Sequence, residues 1–259
     1  MDMKILNPQE IANMTVEIGI TKSKKTISQT TILAILAGIY IGLGSHAYLV
    51  VTQTLGERVD AGLAAFLGAA VFPVGLMLVL IAGGELFTGN NLMSLAVLNK
   101  KVSFQGLMKN WTLVFIGNFI GGLLLAFVIY KAGIYKEGSE MALHAIAVAN
   151  KKMHLTFSQA LIRGILCNII VSLAVWMSYS TKDASGKIFA IWFPVMMFIV
   201  CGFEHSVANM FFLSIGKFIG AGYTWIDTFV LNFIPVTLGN IIGGGIIIPC
   251  AYYFAYQKK

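Results

Sequence analysis

Six stretches of the chain contain no Asp, Glu, Lys or Arg: residues 26–56, 61–84, 110–130, 164–181, 188–203 and 228–257. A helix needs about 20 apolar residues to cross the ~30 Å hydrocarbon core of a bilayer. The pattern therefore predicts six spans, two of them short before a charge interrupts. Inside lipid the backbone must satisfy its own hydrogen bonds. The fold expected is thus all-α, a polytopic membrane protein of six transmembrane helices. Composition agrees: 58% of residues are hydrophobic, 11% are charged and mean hydropathy is +0.82. Soluble domains carry about 25% charged residues, and a soluble chain of 259 residues could not hide this much apolar surface.

The charges between the spans set a topology. Eleven basic residues fall on one side: Lys4, Lys22, Lys24 and Lys25; Lys100, Lys101 and Lys109; Lys182 and Lys187; Lys258 and Lys259. The other side holds six, namely Arg58, Lys131, Lys136, Lys151, Lys152 and Lys217, with Arg163 near the start of span four. The positive-inside rule puts both termini in the cytoplasm, and the connection 132–156 then faces outward. Residues 1–25 lack the continuous apolar core of a cleavable signal. They read instead as a cytoplasmic amphipathic segment, helical over about Pro8–Ile20 and lying on the membrane surface. Residues 26–255 form a single transmembrane domain. The net charge of +7 sits at helix ends and does not point to nucleic acid. Cys167, Cys201 and Cys250 lie in apolar runs without metal-type spacing, so they read as small hydrophobes. No cofactor or metal is expected.

The two halves echo each other. FPVGLMLVLIAGGELFTGNN starts at Phe72 and FPVMMFIVCGFEHSVANM at Phe193, 121 residues apart. Glu85 is followed five residues on by Asn90, and Glu204 by Asn209. GNFIGG at 117–122 returns as GNIIGG at 239–244. With three spans per half (about 26–131 and 157–255), the second half enters the membrane from the opposite side. Inverted repeats of this kind place their site at the midplane between the halves. Spans two and five should line it, because a carboxylate at membrane depth must face protein or a water-filled cavity. Non-helical breaks are expected at about 83–91 and 202–207, where glycines weaken the helix. Helix starts after such breaks would offer free N–H groups to an anion. Gly117, Gly121, Gly239 and Gly243, spaced by four, read as close-packing contacts of spans three and six.

Taken together, GGELFTGNN, ILCNIIVSLAVWMS from Ile165 and GFEHSVANMF from Gly202 resemble the signatures of the formate/nitrite transporter family, over roughly residues 5–255. The resemblance implies an aquaporin-like fold with broken helices two and five, a homopentamer with one pore per protomer, and small monovalent anions (formate, nitrite, hydrosulfide) as substrates. It also implies residue roles. His205 is the polar residue at mid-pore, Thr88 hydrogen-bonds or faces it, and Asn168 orients it. Glu204 and Asn209 belong to the second break. Lys152, in KMHLTF, gives the outer vestibule its positive field. Leu86, Phe87 and Phe198 form an outer constriction, and Phe72 and Leu76 an inner one.

His205 also stands out without the resemblance. Of four histidines it alone lies mid-span beside a break, and its unperturbed pKa of about 6.5 is near physiological pH. An isolated ion in a low-dielectric medium costs tens of kcal/mol, and a shared proton removes most of that cost. The residues leave two roles open for His205, proton donor or hydrogen-bonding group only. A structural histidine tied to Asn168 or Glu204 is the plainer alternative. The functional expectation is a channel for anions of weak acids in the plasma (cell inner) membrane, with a proton-coupled secondary transporter of the same anions as the alternative. An enzyme is not expected, since HExxH and GxSxG are absent. A water or glycerol channel would carry Asn-Pro-Ala breaks, and the only Asn-Pro here is Asn7–Pro8.

Overall fold

The computed structural model describes residues 5–258. Lys4 and Lys259, counted in the topology above, lie outside them. The described residues are helical throughout, with no strand among them. Helix α1 (Pro8–Ser23) precedes the first span, α2 (Ile27–Thr52). Span two is α3 (Ala61–Gly83) and, after a break, α4 (residues 87–98, built from Phe87–Asn90, a 3-10 turn Asn91–Met93 and Ser94–Leu98). Span three is α5 (Phe104–Lys131). Helix α6 (Glu140–Met153) lies in the connection to span four, α7 (Phe157–Ser178). Span five is α8 (Ala184–Val200) and, after a second break, α9 (Ser206–Phe218); span six is α10 (Trp225–Tyr256).

Local chemistry explains the boundaries. Thr26 and Thr156 each cap a span through a reciprocal box with a glutamine three residues on. Pro194 is inside α8, and α10 widens into π turns at Thr228–Phe233 and Ile241–Ile247, each ending two residues before a proline, Pro235 or Pro249. Proline removes a donor and crowds the carbonyl a turn earlier, so the helix loosens there. A third π turn, Leu78–Gly83, ends α3 on Gly83 at φ 102°. It takes up the two extra residues that the first half carries between its Phe-Pro-Val and its Glu.

The chain ends share a face. Leu6 N–H donates to the Ser180 carbonyl and Gln257 to Asn13. The opposite face is marked by α6, whose His144 reaches Thr52 at the far end of α2.

The structure corrects two expectations and adds detail to two others. Helix α1 runs on to Ser23, and its apolar side (Ile11, Ala12, Val16) is buried on protein, against Leu95, Ala96, Val102 and Trp176, rather than on lipid. The non-helical segments are shorter than expected, at residues 84–86 and 201–205. The connection 132–156 carries α6, a helix the sequence reading did not place. The glycines do pack helices closely, and their partners are now defined: α5 on α2 and α10 on α7. A Cβ at Gly121 would overlap the Ile35 carbonyl, and one at Gly243 the Ile165 carbonyl.

Overpacking of a well-fitted contact costs about 1–3 kcal/mol. Gly121→Ala and Gly243→Ala should each lower stability by that order in thermal unfolding of the detergent-solubilised protein. Gly56→Ala, where an added Cβ meets nothing within 4 Å, should not.

Candidate functional site

The two breaks are held by the same set of bonds. In the first half Asn118 Nδ2 donates to the Ala34 and Glu85 carbonyls (2.7 and 2.9 Å), and its Oδ1 accepts the Phe87 N–H (2.9 Å). In the second, Asn240 Nδ2 donates to the Gly164 and Glu204 carbonyls (2.8 and 3.0 Å), and its Oδ1 accepts the Ser206 N–H (2.9 Å). A primary amide has two donor hydrogens and one acceptor oxygen, so one buried side chain serves a carbonyl and an N–H that the break leaves without helical partners and ties both to a carbonyl of α2 or α7. The Glu85 N–H donates to the Leu33 carbonyl and the Glu204 N–H to that of Arg163.

The two carboxylates are buried and paired. Glu85 receives Lys22 (2.9 Å), Lys25 (2.8 Å) and Asn90 (2.6 Å). Glu204 receives Lys152 on both oxygens (3.1 Å each) and Asn209 (2.7 Å). Behind them, Asn90 donates to Asn110 and Asn209 to Asn232, both at 2.8 Å. Removing one partner of a buried pair strands the other charge, so these contacts fix the geometry of the breaks. Lys22 and Lys152, like Thr26 and Thr156, are 130 positions apart, so the repeat reaches back into α1 and α6. Sequence reading missed Asn118, Asn240, Asn110, Asn232, Lys22 and Lys25 as site residues. The signal was present for the first two, whose motif was read only through its glycines.

The halves meet at Thr88 and His205, Oγ1 to Nε2 at 2.8 Å. His205 is 3% exposed and Thr88 fully buried. The Ala208 N–H donates to His205 Nδ1 (3.1 Å), making the imidazole the N-cap of α9. A backbone N–H only donates, so Nδ1 carries a lone pair and the neutral ring holds its proton on Nε2. That N–H donates to Thr88 Oγ1, and the Thr88 hydroxyl hydrogen points elsewhere. Asn168 does not touch His205, contrary to expectation. Its two Nδ2 hydrogens go to Asn240 O and Asn91 Oδ1 (2.7 Å each), and the Thr88 carbonyl lies 3.4 Å away as a weaker, shared contact. Glu204 makes no bond to the imidazole either, so the plainer expectation of a histidine tied to Asn168 or Glu204 does not describe this ring.

The five apolar residues group differently from the expectation. The Phe198 ring stacks on His205 (centroids 5.8 Å, 22°), and Phe72 meets Phe198 edge-on at 5.8 Å. Phe72 thus belongs with Phe198. Leu86 instead joins Leu76 along a gap of about 10 Å³ that also touches Lys22, Val79, Val175 and Tyr179. Phe87 packs against Trp111 (6.1 Å) and Phe115 (5.2 Å) of α5, a helix contact. On the α6 side lies a cavity of about 360 Å³ walled by Tyr48, His144, Lys152, Arg163, Glu204 and Phe212 among others.

Five helices long and apolar enough to cross a membrane, a shorter apolar helix α8, and two breaks meeting at a buried imidazole stacked on Phe198 mark a multi-pass membrane protein. A family model described as "Formate/nitrite transporter" matches residues 9–254. The formate channel BtFdhC of Bacillus thuringiensis is 41% identical over 258 residues, 99% of this chain and 98% of that one. The formate channel FocA of Escherichia coli K12 is 35% identical, over 98% of this chain and 96% of its own. A solved pentameric formate channel with formate bound superposes with a TM-score of 0.79 at 37% identity, covering 91% of this chain and 99% of that one. An FNT family ion channel gives 0.86 at 28%, covering 95% and 98%. The chain belongs to the formate/nitrite transporter family, whose members are channels and transporters rather than enzymes.

One wall of the larger cavity titrates. Thr52 donates its only hydroxyl hydrogen to the Tyr48 carbonyl (2.7 Å), so His144 Nε2–H must donate to Thr52 Oγ1 (2.8 Å). Burial lowers the pKa of His144 below the ordinary 6.5. The unfolded chain then binds the extra proton first, so this clasp stabilises fully above pH 6.5 and fades as pH falls below it. In unfolding experiments His144→Ala should cost about 1 kcal/mol at pH 8, with the gap to wild type narrowing below that range.

Proposed function

We propose that the protein is a plasma-membrane channel for formate, and for nitrite and hydrosulfide as other small monovalent anions of weak acids, in which His205 shares a proton with the permeating anion at mid-pore. Formate is the substrate named for several relatives of near-equal length, which supports its assignment here. The observation that carries the mechanism is the Thr88–His205 pair at 2.8 Å, where the two breaks converge. The Nε2–H is a donor buried between the Phe72–Phe198 rings on one side and Leu76 with Leu86 on the other. Cations stand at both mouths, Lys152 on one and Lys22 with Lys25 on the other, each held by a break carboxylate.

An anion drawn to either mouth loses water before it reaches the rings. The Born cost of that step, tens of kcal/mol for an isolated ion, falls when a proton is shared with the anion. Nε2–H can turn from Thr88 to the anion, and the Thr88 hydroxyl hydrogen supplies a second donor at the same place. Glu204 and Asn209 hold the second break so that Nε2 keeps its aim, and Asn168 does the same for Thr88 through the backbone. In this reading Phe72 and Phe198 form the outer constriction and Leu76 and Leu86 the inner one. Both termini are cytoplasmic, on the charge asymmetry, with the two halves crossing in opposite directions. The working form is a homopentamer with a pore in each protomer, a reading supported by the pentameric state of the relative solved with formate bound.

The test is formate flux into liposomes against pH for wild type and His205→Asn. Asparagine can still accept the Ala208 N–H as an N-cap, so the fold should survive. Wild-type flux should change across the histidine titration range, and the variant should lose that dependence. An unchanged pH profile removes His205 from the mechanism. Uphill accumulation driven by an imposed proton gradient would favour coupled transport over a channel.

A further inference from the structure

The cation expected to draw anions into the larger vestibule, Lys152, is already matched. Both Glu204 oxygens accept from it at 3.1 Å, and its ammonium also lies 5.2 Å from the Phe212 ring centroid. A pair of opposite charges this close projects little field into the cavity. Two other cations wall the same space, Lys151 and Arg163. Lys151 is exposed to solvent, whereas Arg163 is half-buried at the wall, on the second turn of α7. Among the described residues the Arg163 guanidinium makes no ion pair and no side-chain hydrogen bond.

The repeat shows that the fold does not require this charge. Position 163 uses its backbone carbonyl to accept the N–H of the break glutamate, Glu204, and position 33 does the same for Glu85. The residue at 33 is leucine. The side chain at 163 is therefore free of the structural duty that its backbone performs.

We propose that Arg163 is the anion-docking residue of this vestibule and that it selects planar anions carrying two oxygens. This rests on the channel reading above and deepens it. A guanidinium presents two parallel N–H groups that match a carboxylate, whereas an ammonium acts as a point charge. Formate and nitrite each offer two oxygens to such a fork. Hydrosulfide, with one heavy atom, gains only the charge. Of the groups facing the site, His144 and Lys151 add positive potential when protonated, the Tyr48 and Phe212 rings close the apolar side, and Glu204, neutralised by Lys152, repels little. The anion docks at Arg163 first and passes from there to the His205 side of Phe198.

The experiment compares half-saturating concentrations for formate, nitrite and hydrosulfide flux in liposomes carrying wild type, Arg163→Lys or Arg163→Leu. Arg163→Lys, which keeps the charge and loses the fork, should raise the value for formate and nitrite by about three- to fivefold, the worth of one hydrogen bond, and leave hydrosulfide nearly unchanged. Arg163→Leu, which copies position 33, should raise all three. Maximal rates should hold, since the pore is untouched. Formate titration of the detergent-solubilised proteins by calorimetry gives the same ranking without flux, which covers a variant that reconstitutes poorly. A lysine variant indistinguishable from wild type for formate overturns the fork, and a leucine variant indistinguishable for all three overturns the site. Wild-type vesicles that pass no formate sink the channel reading instead, and the calorimetric comparison then judges docking by itself.

Discussion

Everything else in the structure depends on how two short stretches of non-helical backbone, residues 84–86 and 201–205, survive at membrane depth. An unsatisfied N–H or C=O in hydrocarbon costs several kcal/mol, and each break exposes several. One buried asparagine per half, Asn118 or Asn240, meets part of that need by bonding one carbonyl and one amide of the break while anchored to a carbonyl of α2 or α7. Only with the backbone so held can a side chain on the break be aimed, and the Thr88–His205 contact follows from it. The carboxylates of Glu85 and Glu204 add a second tie, from break to α1 in one half and from break to α6 in the other.

Against this shared scaffold the differences between halves carry the chemistry. His205 stands where the first half has Leu86, and Thr88 where the second has Val207. Asn168 stands opposite Gly38, and Arg163 opposite Leu33. The symmetric residues build the frame twice; in the mechanism proposed above, the unsymmetric ones supply the proton donor, its partner, the support of that partner and a cation. Asn168 in turn needs Gly244, because a Cβ there would overlap its amide.

Much of this was legible in the sequence. Charge-free runs marked the spans, and the repeated Glu–x4–Asn spacing marked the breaks and the residues beside them. His205 was found because a histidine inside an apolar run has few bland explanations. Other features were hidden for physical reasons. Helix α6 is short and amphipathic, so it was not placed until the repeat was seen to reach Lys22 and Lys152. The extent of the breaks was overestimated because glycine lowers helix propensity without forbidding helix, and Gly89 sits within a helical turn. The apolar ring residues were misgrouped because a sequence orders side chains along a span and does not say which face each takes. Phe72 reaches Phe198 only through the crossing of α3 and α8, a tertiary fact.

The glycine notches between α2 and α5 and between α7 and α10 have a mechanical corollary. Where a glycine lies directly on a neighbouring carbonyl there is no cushion of side chains to compress or slide, so each paired unit resists shear as one block. Pore width is then left to the softest parts of the wall, the torsions of leucine and phenylalanine side chains. The rotamers of these buried side chains change one at a time, a smaller and faster event than a collective helix shift, which takes microseconds or longer. A conduit bounded in this way breathes on the faster clock while its skeleton stands still.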